Sequence, residues 1–337
     1  MKVAFFSSKS YDEEYFNKIN NQFNHQLDFF ETRLNSHTVQ IAKNHDAICV
    51  FVNDKLNDET LQTMKEQNIK LHTLRCAGFN NVDLEAAEKY GITVMRVPAY
   101  SPEAVAEHAL ALILTLNRKT NKAYNRVREG NFSLERLTGF NISGKTIGVV
   151  GTGAIGATFI KLLNGFNANF LAHDPYPKEE LKKQGVKYVS LEELLSQSDI
   201  ISLHCPLTHD TCRMINADSL KNIKTGAMLI NTSRGKLIDT EAVIESLRDK
   251  KLGSLGIDVY AEEEKLFFKD LSEMIIDDDI ISRLISLPNV LITAHQAFLT
   301  REALEQIAEI TLQNITGFEN GKVNQDNQVS SEHLGNS

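Results

Sequence analysis

Three side chains of this sequence could bind an anion and transfer a proton, and each lies near the end of an apolar run. Arg234 follows AMLIN, Glu263 lies in VYAEEEKLFF, and His295 follows NVLITA. The planar fork of an arginine suits bidentate binding of a carboxylate, and a histidine exchanges protons near neutral pH. A glutamate that hydrogen-bonds an imidazole orients it and favours its protonated form. Together these residues could serve a dehydrogenase of hydroxy acids.

Each of the three also has an ordinary structural interpretation. Arg234 could pair with a neighbour at the surface, Glu263 could belong to a solvated acidic run, and His295 could be a satisfied core histidine. Two other histidines are rival bases, but His204 lies just inside a strand end and His108 within a helix, so core packing is expected for both.

The stretch GVVGTGAIG contains a glycine-rich turn between an apolar run and a helical segment. Gly151 would allow the tight turn, Gly153 would let the backbone approach a pyrophosphate, and Gly156 would let helix and strand pack closely. The motif alone is weak, but Asp174 follows at the end of the next apolar run, where it could bind both ribose hydroxyls and repel a 2′-phosphate. These residues predict binding of NAD rather than NADP.

Short apolar runs alternate with amphipathic stretches along most of the chain, which predicts α/β domains with mostly parallel sheets. The carboxyl ends of parallel strands meet at one edge of a sheet, so residues that follow different runs should converge on one crevice. The following residues also lie at such run ends: Cys205, Pro206, Thr232, Ser233 and Asp258.

A long helix is expected from Pro102 to about residue 119, with Ser101 as a possible cap, and another from about Thr300 to Phe318. The helix beginning at Pro102 and its neighbours offer an apolar surface for a dimer. The extra stretch at 264–288 should form a surface helix without chemistry, and the polar tail from Gly321 onward should be poorly ordered.

Composition narrows the class of protein. The chain has 337 residues, 42% of them hydrophobic, and a formal charge of −8, which argues against a nucleic-acid-binding surface. The apolar run near Met1 is shorter than a signal peptide needs and no uncharged apolar window reaches about 18 residues, so a cytoplasmic protein without membrane contact is expected. The four cysteines lack zinc-site spacing, and no metal is expected.

Several motifs in order resemble the D-specific 2-hydroxyacid dehydrogenases: GTGAIG with Asp174, LHCPLT, NTSRG, DVYAEE and TAHQAF. Within that family, RCAGFNNVDL, VPAYSPEAVAEHA and HQAFLTREAL are similar to the fermentative D-lactate dehydrogenases. The resemblance extends from KVAFFS to about Phe318. It implies a Rossmann NAD-binding domain at 101–298 inserted into a discontinuous, flavodoxin-like substrate domain at 1–100 and 299–337.

The resemblance also implies roles for individual residues. Arg234 would hold the substrate carboxylate and polarise its carbonyl, His295 would be the general acid, and Glu263 would favour its protonated form. Backbone N–H groups of Ala77 and Gly78 would assist with the carboxylate. The side-chain pocket would be shaped by Phe51, Tyr100 and Phe298. The cofactor would be contacted by Gly151, Gly153, Ala154, Ile155, Gly156, Asp174, Cys205, Pro206, Thr211, Thr232, Ser233, Arg234 and Asp258.

The resemblance therefore implies an NAD-dependent D-lactate dehydrogenase that reduces pyruvate reversibly, and a dimer or tetramer is expected. A dehydrogenase for a larger acid, such as hydroxyisocaproate or phenyllactate, would share the catalytic residues and differ in the pocket. A phosphoglycerate-type enzyme is disfavoured because such enzymes usually carry a further regulatory domain. A non-catalytic NAD-sensing protein of the same fold is a further alternative, against which Arg234, Glu263 and His295 together argue.

Overall fold

The computed structural model describes residues 1–332, and these divide into two compact units. The first unit contains Met1–Ser101 and the described residues from Leu299 onward, and the second is Pro102–Phe298. The second unit is therefore an insertion in the chain of the first.

Strands and helices alternate in residues 1–101. Local capping explains where the helices begin and end: the side chains of Asn57 and Asp83 accept backbone hydrogen bonds at helix N-termini, and Gly91 ends a helix in the left-handed conformation. The strands are β1 (Lys2–Phe5), β2 (Gln26–Phe29), β3 (Ala47–Val50), β4 (Leu71–Leu74) and β5 (Thr93–Met95). The helices are α1 (Ser10–Asn20), α2 (Asp58–Glu66) and α3 (Leu84–Tyr90).

The same alternation continues through the second unit, after two consecutive helices. The helices are α4 (Pro102–Arg118), α5 (Thr120–Arg128), α6 (Ala154–Leu163), α7 (Glu179–Lys183), α8 (Leu191–Gln197), α9 (Ala217–Asn222), α10 (Thr240–Arg248) and α11 (Asp279–Ser286). The strands are β6 (Thr146–Val150), β7 (Asn169–His173), β8 (Lys187–Tyr188), β9 (Ile200–Leu203), β10 (Ala227–Asn231), β11 (Leu252–Ile257) and β12 (Val290–Ile292). The prediction of a surface helix within 264–288 is confirmed by α11, which Asp278 caps.

The chain returns to the first unit with α12 (Arg301–Glu319), and a short strand, β13 (Gln328–Val329), pairs antiparallel with β5. Asn327 accepts a hydrogen bond from the Arg96 amide at 2.8 Å and donates one to Asn314 Oδ1 at 2.8 Å. The prediction of a poorly ordered tail is wrong for residues 321–332, because β13 pairs with β5 and the buried Asn327 binds this polar segment to α12. Residues 333–337 of that tail lie outside the described residues.

Both sheets have doubly wound strand orders. The first is β13-β5-β4-β3-β1-β2, which is the flavodoxin-like order with an antiparallel edge strand. The second is β12-β11-β10-β9-β6-β7-β8, in which β6, β7 and β8 run outward on one side and β9 to β12 on the other. This is the Rossmann order with one further strand, and its strand order reverses between β6 and β9. The predicted α/β fold class is confirmed.

The strands of the second unit separate two hydrophobic cores. Ile147 and Val149 belong to one core with α4 and α6, whereas Val150 belongs to the other with α8 to α11. Successive strand residues point to opposite faces, so both faces of the sheet are covered and the strands are almost continuously apolar. Polar residues remain at the strand ends, where the candidate site is formed.

Candidate active site

The glycine loop after β6 has a backbone that needs glycine at two positions. Gly151 has a φ of +88°, and a Cβ there would lie 2.6 Å from the backbone nitrogen of Cys205. A Cβ on Gly156 would lie 2.0 Å from the carbonyl oxygen of Gly151. Gly153 has open space around it and starts α6 without a side-chain cap. The first N–H groups of α6, which include those of Ala154 and Ile155, are therefore available to an anion.

Asp174 follows β7 and lies against the glycine loop. Its Oδ2 accepts hydrogen bonds from the amide and the hydroxyl of Thr152, at 2.6 and 3.0 Å, and its Oδ1 accepts one from the Tyr176 amide at 2.8 Å. The carboxylate is thus oriented at the carboxyl end of the sheet, beside the glycines. Its predicted contact with ribose hydroxyls stays a prediction.

The ends of β9 and β10 are joined by a hydrogen bond of 2.6 Å from Ser233 Oγ to the carbonyl oxygen of Cys205. Cys205 is buried, and burial raises the pKa of its thiol to about 11, which makes it a poor nucleophile. Thr211 uses its hydroxyl inside its own loop, where it donates to the Pro206 carbonyl at 2.7 Å. Thr232 Oγ1 is buried and has no hydrogen-bond partner within the described part of the chain.

Arg234 is held in a turn that Asn231 organises. The Asn231 side chain donates to the Arg234 carbonyl at 2.8 Å and accepts from the Ser233 amide at 3.0 Å. Arg234 is a half-buried residue, and its guanidinium donates a hydrogen bond to the Ser233 carbonyl at 2.8 Å. Arg234 therefore lies at the edge of the sheet with further donors, and the fixing role of Asn231 was missed from the sequence.

His295 and Glu263 form a close pair, with 2.7 Å between His295 Nδ1 and Glu263 Oε1. An ionised carboxylate only accepts hydrogen bonds, so Nδ1 carries the proton of this contact and Nε2 is left for other chemistry. Glu263 Oε2 accepts a hydrogen bond from the Tyr260 amide at 3.1 Å, which fixes the carboxylate. The structure thus brings together two of the predicted catalytic residues, separated by 32 positions in the sequence.

The backbone of His295 is left-handed, with a φ of 52°. This conformation costs a residue other than glycine about 1–3 kcal/mol and persists where surrounding contacts impose it. The His295 amide donates to the Asp258 carbonyl at 2.7 Å. The placement of the imidazole therefore depends on its attachment to the end of β11.

Asp258 is fully buried and organises the loop that carries His295. Its carboxylate accepts a short hydrogen bond from the Thr293 hydroxyl and others from the Gln296 and Ala297 amides, at 3.0 and 2.8 Å. Burial alone would raise the pKa of Asp258, but the nearby His108 ring and hydrogen bonds from Thr293 and the two amides outweigh burial and lower it. The carboxylate therefore stays ionised. Its predicted contact with the cofactor stays a prediction.

His204, the rival candidate for proton transfer, is packed into the second unit. Its Nε2 lies 2.9 Å from Ser202 Oγ, and its ring centroid lies 5.0 Å from that of Phe159. Burial lowers the pKa of His204 to about 3. This histidine is therefore neutral near pH 7, as its expected packing role requires.

The predicted substrate residues are divided between the two units. Phe51, Ala77, Gly78 and Tyr100 belong to the first unit, and Phe298 belongs to the second. Phe51 follows β3, with its amide donating to Asp54 Oδ2 at 2.7 Å and its ring centroid 5.2 Å from the Arg75 guanidinium carbon. Ala77 accepts a hydrogen bond from the Arg96 side chain at 3.1 Å. Their roles in binding substrate stay predictions.

Among residues 1–332, we find no group of three or more His, Cys, Asp or Glu side chains that could hold a metal ion. Within the same described range, none of the helices has the length and apolar character that crossing a bilayer requires.

A family model for the D-isomer-specific 2-hydroxyacid dehydrogenase NAD-binding domain matches residues 110–297, which is more than half of the chain. The chain belongs to the D-isomer-specific 2-hydroxyacid dehydrogenases. Like other members of this family, the protein is an NAD-dependent oxidoreductase, and the predicted family, enzyme class and cofactor are confirmed.

Individual members of the dehydrogenase family are similar to the whole chain. The D-lactate dehydrogenase of Escherichia coli is 50% identical over 322 residues, covering 96% of this chain and 98% of that protein. Its apo-structure has a TM-score of 0.90 at 48% identity, covering 98% of this chain and 100% of that one. A structure of D-2-hydroxyisocaproate dehydrogenase has a TM-score of 0.86 at 33% identity, covering 98% and 100%.

Proposed function

We propose that this dehydrogenase catalyses the reversible reduction of pyruvate to D-lactate by NADH. The observation that carries the proposal is the pair of His295 and Glu263, 2.7 Å apart, at the carboxyl edge of the sheet that also positions Arg234. The similarity to a D-lactate dehydrogenase over almost the full length supports the choice of substrate.

The residues at this edge of the sheet fit NAD. The open space at Gly153 and the uncapped start of α6 suit a pyrophosphate, and the buried, unpartnered hydroxyl of Thr232 suits a ligand with a hydrogen-bonding group. The charge of Asp174 favours ribose hydroxyls and disfavours a 2′-phosphate. The proposed cofactor residues remain those of the sequence prediction. Arg234 is proposed to contact both the cofactor and the substrate.

The protein's own residues would act on the substrate as follows. Arg234 binds the carboxylate through its planar fork and stabilises the negative charge that develops on the keto oxygen. His295 donates the proton to that oxygen from Nε2 and takes it back in the reverse direction, while Glu263 holds Nδ1 and stabilises the imidazolium. When bound, the nicotinamide cofactor supplies or accepts the hydride.

A larger 2-oxo acid is the second candidate substrate, because the structure of D-2-hydroxyisocaproate dehydrogenase is also similar to this chain. The two functions share the acid–base pair and the carboxylate anchor, and differ only in the residues around the substrate's side chain.

A comparison of substrates tests the proposal directly. NADH oxidation by the purified enzyme is followed with pyruvate, hydroxypyruvate, 2-oxoisocaproate and phenylpyruvate, and the chirality of the lactate is resolved. We expect pyruvate to have the highest kcat/KM and the product to be D-lactate. L-lactate would overturn the stereochemistry, and a preference for 2-oxoisocaproate or phenylpyruvate would support the second candidate.

The His295→Ala variant tests the assigned acid separately. Loss of a general acid typically costs about 10²- to 10⁴-fold in rate, so we expect turnover to fall within that range. Near-normal turnover with pyruvate would remove His295 from the mechanism.

We further propose that the enzyme works in the cytoplasm as a homo-oligomer. Its four cysteines are free in the described structure, as a reducing compartment would maintain them. Large apolar side chains are exposed on α5 and in the segment after it, including Phe132 at 75% and Leu134 at 81% exposure. Exposed large apolar side chains of this kind support an association surface in this region.

A further inference from the structure

His108 lies on α4, and its side chain contacts the loop that carries His295. His108 Nε2 lies 3.0 Å from Thr293 Oγ1 and 3.4 Å from Asp258 Oδ1. Only 16% of its side chain is exposed, compared with 0% for Asp258. The contact joins residues separated by 185 positions in the sequence, so it is a tertiary feature of the second unit.

The direction of these hydrogen bonds follows from counting protons. The single hydroxyl proton of Thr293 is used in the short hydrogen bond to Asp258 Oδ1, because the ionised carboxylate can only accept. Thr293 Oγ1 must therefore accept from His108, and His108 must carry a proton on Nε2. The result is a chain of donors that runs from His108 through Thr293 to Asp258.

Asp258 connects these hydrogen bonds to the loop that carries His295. The Asp258 carboxylate binds the amides of Gln296 and Ala297, on the carboxyl side of His295, and its backbone carbonyl binds the His295 amide. Asp258 thus binds the loop at His295 and at the two residues that follow it. Thr293, two residues before His295, also binds Asp258. These contacts enclose the one residue of the loop whose φ is positive, at 52°.

We propose that His108 is a positioning residue for the acid–base histidine. Its Nε2–H completes the hydrogen bonding of Thr293 and Asp258, and this holds the left-handed backbone that presents the His295 imidazole. The inference rests on the proposed function of His295. It assigns His108 a role beyond core packing, since packing alone would require neither the Nε2 proton nor the alignment with Thr293.

Substitutions of His108 separate hydrogen bonding from packing. His108→Gln supplies an amide donor near the position of Nε2, His108→Asn supplies the same donor with too short a reach, and His108→Leu supplies none. Misplacing a catalytic group by about 1 Å can cost up to about 100-fold, so we expect kcat for pyruvate to fall about 10- to 100-fold in the Leu and Asn variants. His108→Gln should restore most of kcat. Glu107→Gln, at the exposed neighbouring position, is the matched control and should behave like the wild type.

The thermal midpoint is measured for each variant to identify loss of folding. Wild-type kcat in His108→Leu would overturn the proposal. Equal losses of kcat in the Leu, Asn and Gln variants, in proportion to losses of thermal stability, would also overturn it and indicate packing alone. Thr293 lies between His108 and Asp258 in this chain of hydrogen bonds, so its variants repeat the test. Thr293→Val should lower kcat, and Thr293→Ser should retain it.

A double-mutant cycle with His295→Ala distinguishes this proposal from the proposed function. If His108 acts through His295, His108→Leu should cost little further kcat in the His295→Ala background. A full additive loss in that background would overturn the positioning role and leave the acid role of His295 intact. Near-normal turnover of His295→Ala alone would instead overturn the proposed acid itself.

Discussion

At the scale of single residues, the site depends on which nitrogen of each histidine carries a proton. His295 donates from Nδ1 to Glu263, which leaves Nε2 as the nitrogen that can exchange a proton with substrate. His108 donates from Nε2 to Thr293, whose own proton is used by Asp258. In the proposed mechanism the two carboxylates have different tasks, since Glu263 holds the Nδ1 proton of His295 and Asp258 holds the backbone of its loop.

The Glu263→Gln variant tests the charge of this pair while retaining a side chain of similar size. We expect kcat/KM for pyruvate to fall about 10- to 100-fold, a typical loss for a supporting partner. A neutral amide keeps a hydrogen-bonding side chain beside His295 but removes the charge. The measurement is kcat/KM for pyruvate at one fixed pH.

Glu262→Gln is the matched control, since Glu262 is exposed at the neighbouring position. Its kcat/KM should match the wild type. A wild-type kcat/KM in Glu263→Gln would show that the carboxylate does not influence proton transfer.

The contact between His295 and Glu263 could be predicted from the sequence, but the residues that hold the loop of His295 could not. Arg234, Glu263 and His295 combine informative residue types with positions near strand ends, and the structure places two of them in direct contact. The sequence predicts a cofactor contact for Asp258 and core packing for His108. Nothing in the local sequence of either residue indicates that both contact Thr293. Their connection through Thr293 exists only once α4 lies beside the sheet.

At the scale of elements, β4 contains a histidine in an environment that disfavours its charge. His72 is fully buried between Ile48 and Val94 on the neighbouring strands, and neither ring nitrogen has a partner in the described structure. Burial lowers the pKa of His72 from its ordinary value of 6.5 to about 3. Below pH 6.5 the unfolded chain therefore binds a proton at His72 that the folded chain does not bind. The free energy of unfolding falls as the pH falls from 6.5 towards about 3.

The His72→Leu variant should remove this acid sensitivity. One pH unit corresponds to about 1.4 kcal/mol, so at about pH 5 the wild type should have lost about 2 kcal/mol through His72 that the variant retains. Urea unfolding near pH 7 and near pH 5 measures the difference. His37→Leu, at an exposed position of the same unit, should leave the slope unchanged. An identical slope in His72→Leu and the wild type would contradict the assignment.

The strands and the long helices could be predicted because each has a clear apolar pattern. The C-terminal strand could not, since β13 has only two residues and its segment is polar. Its order comes from side-chain amides such as Asn327, which is 8% exposed and bonded to Asn314. Such pairing depends on tertiary placement and leaves no periodic signal in the sequence.

Across the whole chain, the glycine loop begins only at Gly151 because the second unit, Pro102–Phe298, is inserted into the chain of the first. The loop follows the first strand of the second sheet, and that strand lies at the reversal of the strand order. Alternating strands and helices could predict two parallel sheets, and the glycines could locate the crevice of one of them. The exact backbone of the loop around His295 required the structure, because it depends on contacts across that sheet.

Association of the molecule should depend on an exposed apolar surface near the end of α4. The large apolar residues of α4 itself, such as Leu112 and Ile113, are buried, whereas α5 and the following segment expose Tyr124, Phe132 and Leu134. A hydrogen bond of 2.7 Å from the Arg126 side chain to the Glu135 carbonyl holds that segment against α5. Covering them with a second copy would remove apolar area from water.

The mass in solution tests this surface. The wild type should have two or four times the chain mass of 37.8 kDa by light scattering. Introducing charge with Phe132→Glu and Leu134→Glu together should shift it towards one chain, because an unpaired charge buried at an interface is costly. Ile275→Glu is the control, as Ile275 is 95% exposed in the 264–288 segment and should leave the mass unchanged. If the double variant keeps the wild-type mass while Ile275→Glu loses it, the association surface lies on the 264–288 segment and the proposed surface on α5 is wrong.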